Sequence, residues 1–248
     1  MKNLIVPVIV IGVMLFIPLP ALFVEIIFGV LLISSIIVLL IVQTKDIFPV
    51  FPKVSLVLTL LDLAAAISFT RIILTSKSNL ILEQFAIFNI HFIINMAIAI
   101  IILILSLIFI NRKVSSMSKV AACFILDSMT QRLFDIDSKQ TSGMLTQEEA
   151  ESQKSKVKSE ADFFSILDGS TKFLSGNTKA LCFIYFITLI GGVLISVYQK
   201  VFSLRDALNT TSFAALINLI CSTLPLIILS ICITHTIKKH MPSVSIKG

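Results

Sequence analysis

The chain has no tryptophan, two tyrosines, eight glycines and four cysteines among its 248 residues. Scarce glycine and absent tryptophan leave no repeat signal. No glycine-rich phosphate loop, HExxH or GxSxG pattern is present, which removes the common signatures of nucleotide, zinc-protease and serine-hydrolase chemistry. Cys123, Cys182, Cys221 and Cys232 show neither CxxC nor zinc-ligand spacing, so no metal or cofactor is expected. The last three fall in apolar runs, where a thiol serves as small apolar filler. Charge is scarce as well: Asp, Glu, Lys and Arg make up 14% of residues, against about a quarter in soluble domains. The net charge of +6 has no basic patch interleaved with aromatics, so nucleic acid is not an expected partner.

What is abundant is Ile, Leu, Val and Phe. Hydrophobic residues make up 56% of the chain and the mean hydropathy is +1.02. The apolar residues cluster in long runs, while charges cluster elsewhere. That distribution predicts an all-α, polytopic membrane protein and excludes a soluble enzyme. A helix needs roughly 20 apolar residues to cross about 30 Å of hydrocarbon. Six runs qualify as spans: 4–19, 22–42, 54–74, 85–110, 180–197 and 213–233. The first is short and the fifth borderline. Pro18 and Pro20 break the chain between the first two. Ala21 with Leu19 is a poor match to a small-residue cleavage site, so the first run reads as an uncleaved span.

Six spans put both termini on one side. That side collects Lys2, Lys45, Lys53, the bases of the long loop, Lys238, Lys239 and Lys247. The other side has Lys77, Lys200 and Arg205, with Arg71 near it. The bias predicts cytoplasmic termini and a cytoplasmic loop. The chain then divides into spans one to four (1–110), the loop (111–178), and spans five and six with a short tail (179–248).

The loop holds nine of the fourteen acids and nine bases. Thr146 with Glu149 predicts a capping box at a helix start. Glu148, Glu149 and Glu151 suit the positive end of the helix dipole. Lys156 with Glu160, and Lys158 with Asp162, have i,i+4 spacing. Phe163, Phe164, Ile166 and Leu167 close the helix on an apolar patch before Gly169. That patch docks either on the chain's own membrane part or on a partner. Asp135 and Asp137 read either as a solvated acidic turn or as a cation or proton site beside the membrane.

Inside the spans, Asp62 and Arg71 are nine residues apart, about 13 Å along a helix, too far to pair on one helix. Each needs a partner on another span, or Asp62 pairs with Arg71 of a neighbouring subunit, because unpaired intramembrane charge costs several kcal/mol. His91 reads as a hydrogen-bonded packing histidine.

The stretch "KVAACFILDSMTQRLFDIDSKQTSG" and the following "EADFFSILDGSTKFLSGN" resemble the signature region of the FHIPEP family. These are large membrane proteins of flagellar and type III secretion export gates. The family pattern runs roughly E-V-x-A-R-F-x-L-D-A-M-P-G-K-Q-M-x-I-D-A-D-L-x-x-G, then E-E-A, then E-A-D-F-Y-G-x-M-D-G-A-S-K-F-V-x-G-D-A. Val120, Phe124, Leu126, Asp127, Met129, Ile136, Asp137, Gly143, Glu160, Asp162, Asp168, Lys172 and Gly176 match in order and spacing. "IPLPALFVE" is similar to the family's break between the first two spans, and Gly191–Gly192 fall at its glycine pair in the fifth. The chain departs from the pattern at several places. A Lys becomes Arg132, the second Asp of D-A-D becomes Lys139, and the Arg of A-R-F becomes Cys123. In R-L-x-L-N, the Arg becomes Asp62 and the Asn becomes Ala66. The Asp of G-D-A becomes Asn177 and the Asp of the sixth span's G-D-G becomes Asn218.

The resemblance implies a subunit of an inner-membrane export gate, forming a homo-oligomeric ring with other membrane proteins of the apparatus. Unfolded protein substrates leave through it, driven by the proton motive force. It implies that Asp137 is the proton-coupling acid, with Arg132 poising it. It also implies that Asp168 and Lys172 occupy charged signature positions, and that Glu25 stands at a membrane Asp of the family. Glu25, Asp62 and Arg71 are then the intramembrane charges of interest. Family members usually continue through further spans and a cytoplasmic domain. A truncated remnant inactive in export is therefore one alternative expectation, and an unrelated ion or solute transporter is another.

Overall fold

The computed structural model describes residues 2–17, 19–44, 50–75, 91–198 and 203–240. All regular structure among them is helical. In chain order the helices are α1 (Lys2–Phe16), α2 (Ala21–Thr44), α3 (Phe51–Thr75), α4 (Phe92–Leu107), α5 (Ser115–Thr141), α6 (Gln147–Tyr198) and α7 (Leu204–His240). Pro18, the start of the fourth predicted span at 85–90, the tail 241–248, and Lys45, Lys77, Lys200 and Lys247 lie outside the described residues.

Among the described residues, five helical runs are long and apolar enough to cross a membrane: Ala21–Thr44, Phe51–Thr75, Phe92–Thr141, Gln147–Tyr198 and Leu204–His240. With 15 residues, α1 reaches only about 22 Å. Their outer faces are uncovered Ile, Leu, Val and Phe. Examples are Phe23, Ile26 and Val30 on α2, Ile93 and Ile101 on α4, and Phe183, Ile187 and Leu194 on α6. Apolar surface on that scale is tolerable in lipid and not in water.

The centre is a contact of α3, α6 and α7, flanked by α2 and α4. Ala64, Ala65 and Ala66 leave α3 smooth enough for close approach by its neighbours, and all three are buried. Leu174, Leu181 and Tyr185 of α6 meet Leu219, Leu226 and Ile233 of α7 in the main apolar cluster.

The predicted loop at 111–178 consists largely of two helices that continue the spans on either side. Span and α5 form one run from Phe92 to Thr141, 50 residues or about 75 Å. At the junction a π-helical turn, Ile108–Val114, inserts extra backbone where Arg112 and Lys113 leave the apolar region. The Ser175 hydroxyl of α6 donates to Asn111 Oδ1 there. The helix expected to close before Gly169 runs on to Tyr198. Gly169 costs a helix about 1 kcal/mol relative to alanine. Burial of Phe164, Leu167, Ser170 and Leu174 on one face outweighs it.

The α5–α6 tip is written in local chemistry. Gly143 takes φ +76°, the left-handed conformation glycine adopts without penalty. The Met144 N–H donates to the Lys139 carbonyl at 3.0 Å and the Gly143 N–H to Gln140 at 3.1 Å, the Schellman pattern. The predicted capping box is present: the Thr146 N–H donates to Glu149 Oε2 at 2.9 Å, and the Glu149 N–H donates to Thr146 Oγ1 at 3.3 Å. The Thr146 N–H bond, followed by one that the Thr146 hydroxyl donates to the same Glu149 Oε2 at 2.9 Å, holds the Glu149 carboxyl below its ordinary value. A lowered acid contributes stability above its unfolded-state value and loses it as pH falls through the folded-state value. Thr146→Ala is expected to cost the tip about 1 kcal/mol. Amide exchange at 147–150 reads this. In the wild type those amides exchange relatively faster on acidification, and Glu149→Gln flattens that pH dependence.

Candidate functional site

Two sets of charged side chains stand out, one on the α5–α6 hairpin and one among the spans. On the hairpin the helices run antiparallel, held by a small cluster of Ile136, Ala150 and Val157 with Leu133 and Leu145. Charges bridge them. Arg132 Nη1 donates to Glu160 Oε2 at 2.8 Å, and Lys154 pairs with Asp137. Asp135 pairs along its own helix with Lys139 at 2.7 Å. Arg132 and Asp137, expected to poise each other, thus each engage α6. Five residues apart is not a neighbour spacing on a helix. Glu160 likewise reaches Arg132 instead of its i,i+4 neighbour Lys156. Asp137 keeps 57% of its side chain exposed, so its pair is worth under about 1 kcal/mol and sets register more than stability. The acidic turn suggested around Asp135 and Asp137 is helix, because Met129, Leu133 and Ile136 repeat at helical spacing.

Asp168 is enclosed where the hairpin meets the spans. Its side chain is 14% exposed. Oδ2 pairs with Lys172 at 2.8 Å, while the buried Oδ1 has no hydrogen-bond partner. The hydrogen bond from Lys172 to Asp168, aided by the charge of Asp168, raises the Lys172 ammonium above its ordinary value. That contribution is complete at neutral pH and is lost only as pH rises through the raised value.

Among the spans, Asp62 and Arg71 do not meet in the chain, and each finds its own partner. Arg71 turns toward the end of α1. Nη1 donates to the Leu15 carbonyl at 2.8 Å, and Nη2 to Met14 at 3.2 Å and to Ile17. These carbonyls lie in the last turn of α1 or just beyond it and have no helical partner, so a cation there satisfies them and the dipole together. Ser68 adds a bond to the Met14 carbonyl at 2.7 Å.

Asp62 is wholly buried. Its Oδ2 accepts from Asn177 Nδ2 at 3.0 Å, and the same Nδ2 contacts the Thr59 carbonyl at 3.2 Å. Toward the α3 C-terminus, Asn218 Nδ2 donates to the Ala66 carbonyl and to Thr70 Oγ1, both at 3.2 Å. Thr70 in turn bonds Thr188 at 2.8 Å. Glu25 is exposed on α2, on a groove shared with Phe28, Phe69, Asn218 and Cys221. His91, expected to pack, is exposed at the start of α4, where Asn209 caps the Phe92 N–H at 2.9 Å.

Asn177 and Asn218 were visible in the sequence only as departures from the family pattern. The structure places the departures in contact: Asp62 with Asn177, and Ala66 with Asn218. Where the pattern has an Arg and an Asp, this chain has an Asp and an amide, so opposite charges are replaced by one acid and a neutral partner. The signal was polar residues within apolar runs, but nothing local says which pairs meet across more than a hundred positions.

A family model described as FHIPEP family matches residues 10–245. The flagellar biosynthesis protein FlhA of Borreliella burgdorferi is 33% identical over 240 residues, covering 90% of this chain and 34% of that protein. The FlhA of Bacillus subtilis is 32% identical over 186 residues, 74% of this chain and 28% of that protein. The FlhA of Salmonella typhimurium is 31% identical over 229 residues, 88% of this chain and 33% of that protein. The chain spans about a third of the length of these curated relatives. No solved structure gives a significant match. With the family pattern matched along nearly its whole length, the chain belongs to the FHIPEP family.

Proposed function

We propose that this chain is a membrane subunit of a bacterial flagellar or type III protein-export gate, and that its α5–α6 hairpin couples proton entry to export. Membership of the family and the naming of its relatives as flagellar biosynthesis proteins support the first part. The positive-inside bias favours an inner-membrane setting with both termini and the hairpin in the cytoplasm. Division into spans 1–110, a signature region 111–178 and spans with a tail 179–248 belongs to the same reading. Phe124, Phe134 and Phe173 are exposed on α5 and α6 outside the predicted spans, which suits burial against neighbouring copies in a ring or against other membrane proteins of the apparatus. Unfolded exported proteins are the substrates in this reading.

One observation carries the coupling step. The Asp137–Lys154 pair ties α5 to α6 near the hairpin tip. Protonation of Asp137 removes one charge, frees Lys154 and biases the hairpin between two arrangements. Arg132, through Glu160, holds the hairpin in register further along, and Asp168 with Lys172 pairs along α6 at its base.

In a host that depends on this chain, Asp137→Asn is expected to lower secretion roughly tenfold, within a coupling free energy of about 1–3 kcal/mol. Membrane insertion and chain abundance stay unchanged, since an exposed pair contributes little to folding. Lys154→Met breaks the same pair but keeps the Asp137 carboxyl, so it retains more secretion. Undiminished export with Asp137→Asn removes the coupling role.

A further inference from the structure

The enclosure of Asp62 leaves a chemical problem. Oδ2 has the Asn177 amide, but Oδ1 is buried with no hydrogen-bond partner. The Asn177 amide is committed through Nδ2 to Asp62 and Thr59, which leaves Asn177 Oδ1 buried and unpartnered too. Two orphaned acceptor oxygens therefore share one site. No Lys, Arg or His among the described residues forms an ion pair with Asp62. Arg71, nine positions along α3, is occupied by the α1 carbonyls.

A bare carboxylate in a low-dielectric interior is costly, and so is an acceptor without a donor. One added positive charge resolves both. A proton on Oδ1 neutralises the carboxylate and turns its orphaned acceptor into a donor, while Oδ2 keeps its bond from the Asn177 amide. A small desolvated cation would instead be held by carboxylate and amide oxygens together.

The surroundings contain little that competes. From α7 comes the Cys221 thiol, which lies within the electrostatic reach of both Asp62 and Glu25. From α2 comes Glu25, on the groove that opens at the molecular surface beside Cys221. From α6 comes Asn177, with Cys182 and Tyr185 further along that helix. The sole ionisable residue of α1 is Lys2 in its first turn.

From this geometry we infer that Asp62 and Asn177 form a binding site for one exchangeable monovalent cation, either a proton on the Asp62 carboxyl or a sodium ion in its place. The site needs neither export nor a partner, and it stands or falls separately from the role given to Asp137.

Infrared difference spectra of the purified full chain in liposomes test it. In sodium-free buffer, the wild type is expected to show a protonated-carboxyl band that Asp62→Asn removes and Asp62→Glu shifts. The Glu variant serves should the Asn variant not fold. Glu25→Gln is the background that removes the carboxyl of the neighbouring groove. Raising the pH abolishes the band if the ligand is a proton. Adding sodium chloride at fixed pH abolishes it if sodium competes for the site. Asn177→Ala displaces the pH midpoint, whereas a bystander amide would leave it in place. No Asp62-dependent band at any pH, or a band indifferent to both pH and sodium, overturns the inference.

Discussion

Replacing Arg71 by methionine is expected to detach the end of α1 from the bundle and cost about 3 kcal/mol or more. Methionine keeps an unbranched apolar stem and removes the guanidinium, so the loss is chiefly that of the charged donor. Three carbonyls at the α1 terminus, those of Met14, Leu15 and Ile17, lose their guanidinium donor together. In water such carbonyls would turn to solvent at small cost. In a bilayer each unsatisfied one costs several kcal/mol unless the backbone rearranges. Rearrangement is hindered, because Ser68 still holds the Met14 carbonyl and Met14 itself is buried against Phe69 and its neighbours.

Arg71→Lys separates charge from geometry. An ammonium keeps the dipole interaction but cannot span three acceptors as the planar fork does, so it should recover about half of the loss. Thermal transitions of the three proteins in detergent rank them. A cysteine at Met14 reads the local effect: maleimide is excluded in the wild type, reaches it in the methionine variant and reaches it slowly in the lysine variant. An Arg71→Met protein that melts with the wild type and keeps residue 14 shielded would show that α1 is held by apolar contacts alone.

Arg71 also marks the limit of what was legible from sequence. A charge in an apolar run announces that a partner exists. Backbone carbonyls carry no residue signature, so the partner could not be named, and a neighbouring subunit's Asp62 was a reasonable candidate. Asp62 and Asn177 failed for a related reason. They are paired through tertiary packing across 115 positions, and no spacing rule spans that distance. Signals that act within a few residues did better. Gly143, Thr146 and Glu149 specified the hairpin tip, because caps and left-handed turns are local chemistry. Apolar run lengths located the long helices for the same reason. The helix stop at Gly169 was misread because a glycine is a stop signal only where φ turns positive, and Gly169 sits in helix with one face buried.

A second large effect is expected at the glycine pair of α6, where two adjacent glycines have different reasons to be there. A Cβ added at Gly192 lies 3.0 Å from Thr211 Cγ2 and 3.3 Å from Thr211 Cβ. Thr211 cannot turn its methyl away, since its Oγ1 donates to the Ala207 carbonyl at 2.6 Å and the residue is wholly buried. Ile73 of α3 closes the other side at 3.6 Å. Gly192→Ala thus sets a helix-propensity gain of about 1 kcal/mol against an overpacking cost of about 1–3 kcal/mol, and the cost is expected to prevail. Gly192→Leu has no space between α3 and α7 and should cost more than about 3 kcal/mol by wedging α6 away from both. Gly191 behaves differently. Its added Cβ meets Leu74 Cδ2 at 2.8 Å, the far end of a flexible side chain that is only partly buried. Leu74 can change rotamer, so Gly191→Ala should be neutral or stabilising by up to about 1 kcal/mol. Thr211→Ser removes the obstructing methyl and keeps the hydroxyl bond. In the Gly192→Ala background it should restore most of the lost melting temperature, and the double-mutant cycle then gives a favourable coupling between the two sites. If Gly192→Ala and Gly191→Ala melt alike, or Thr211→Ser fails to rescue, the close approach of α6 and α7 at this glycine is not what limits the residue.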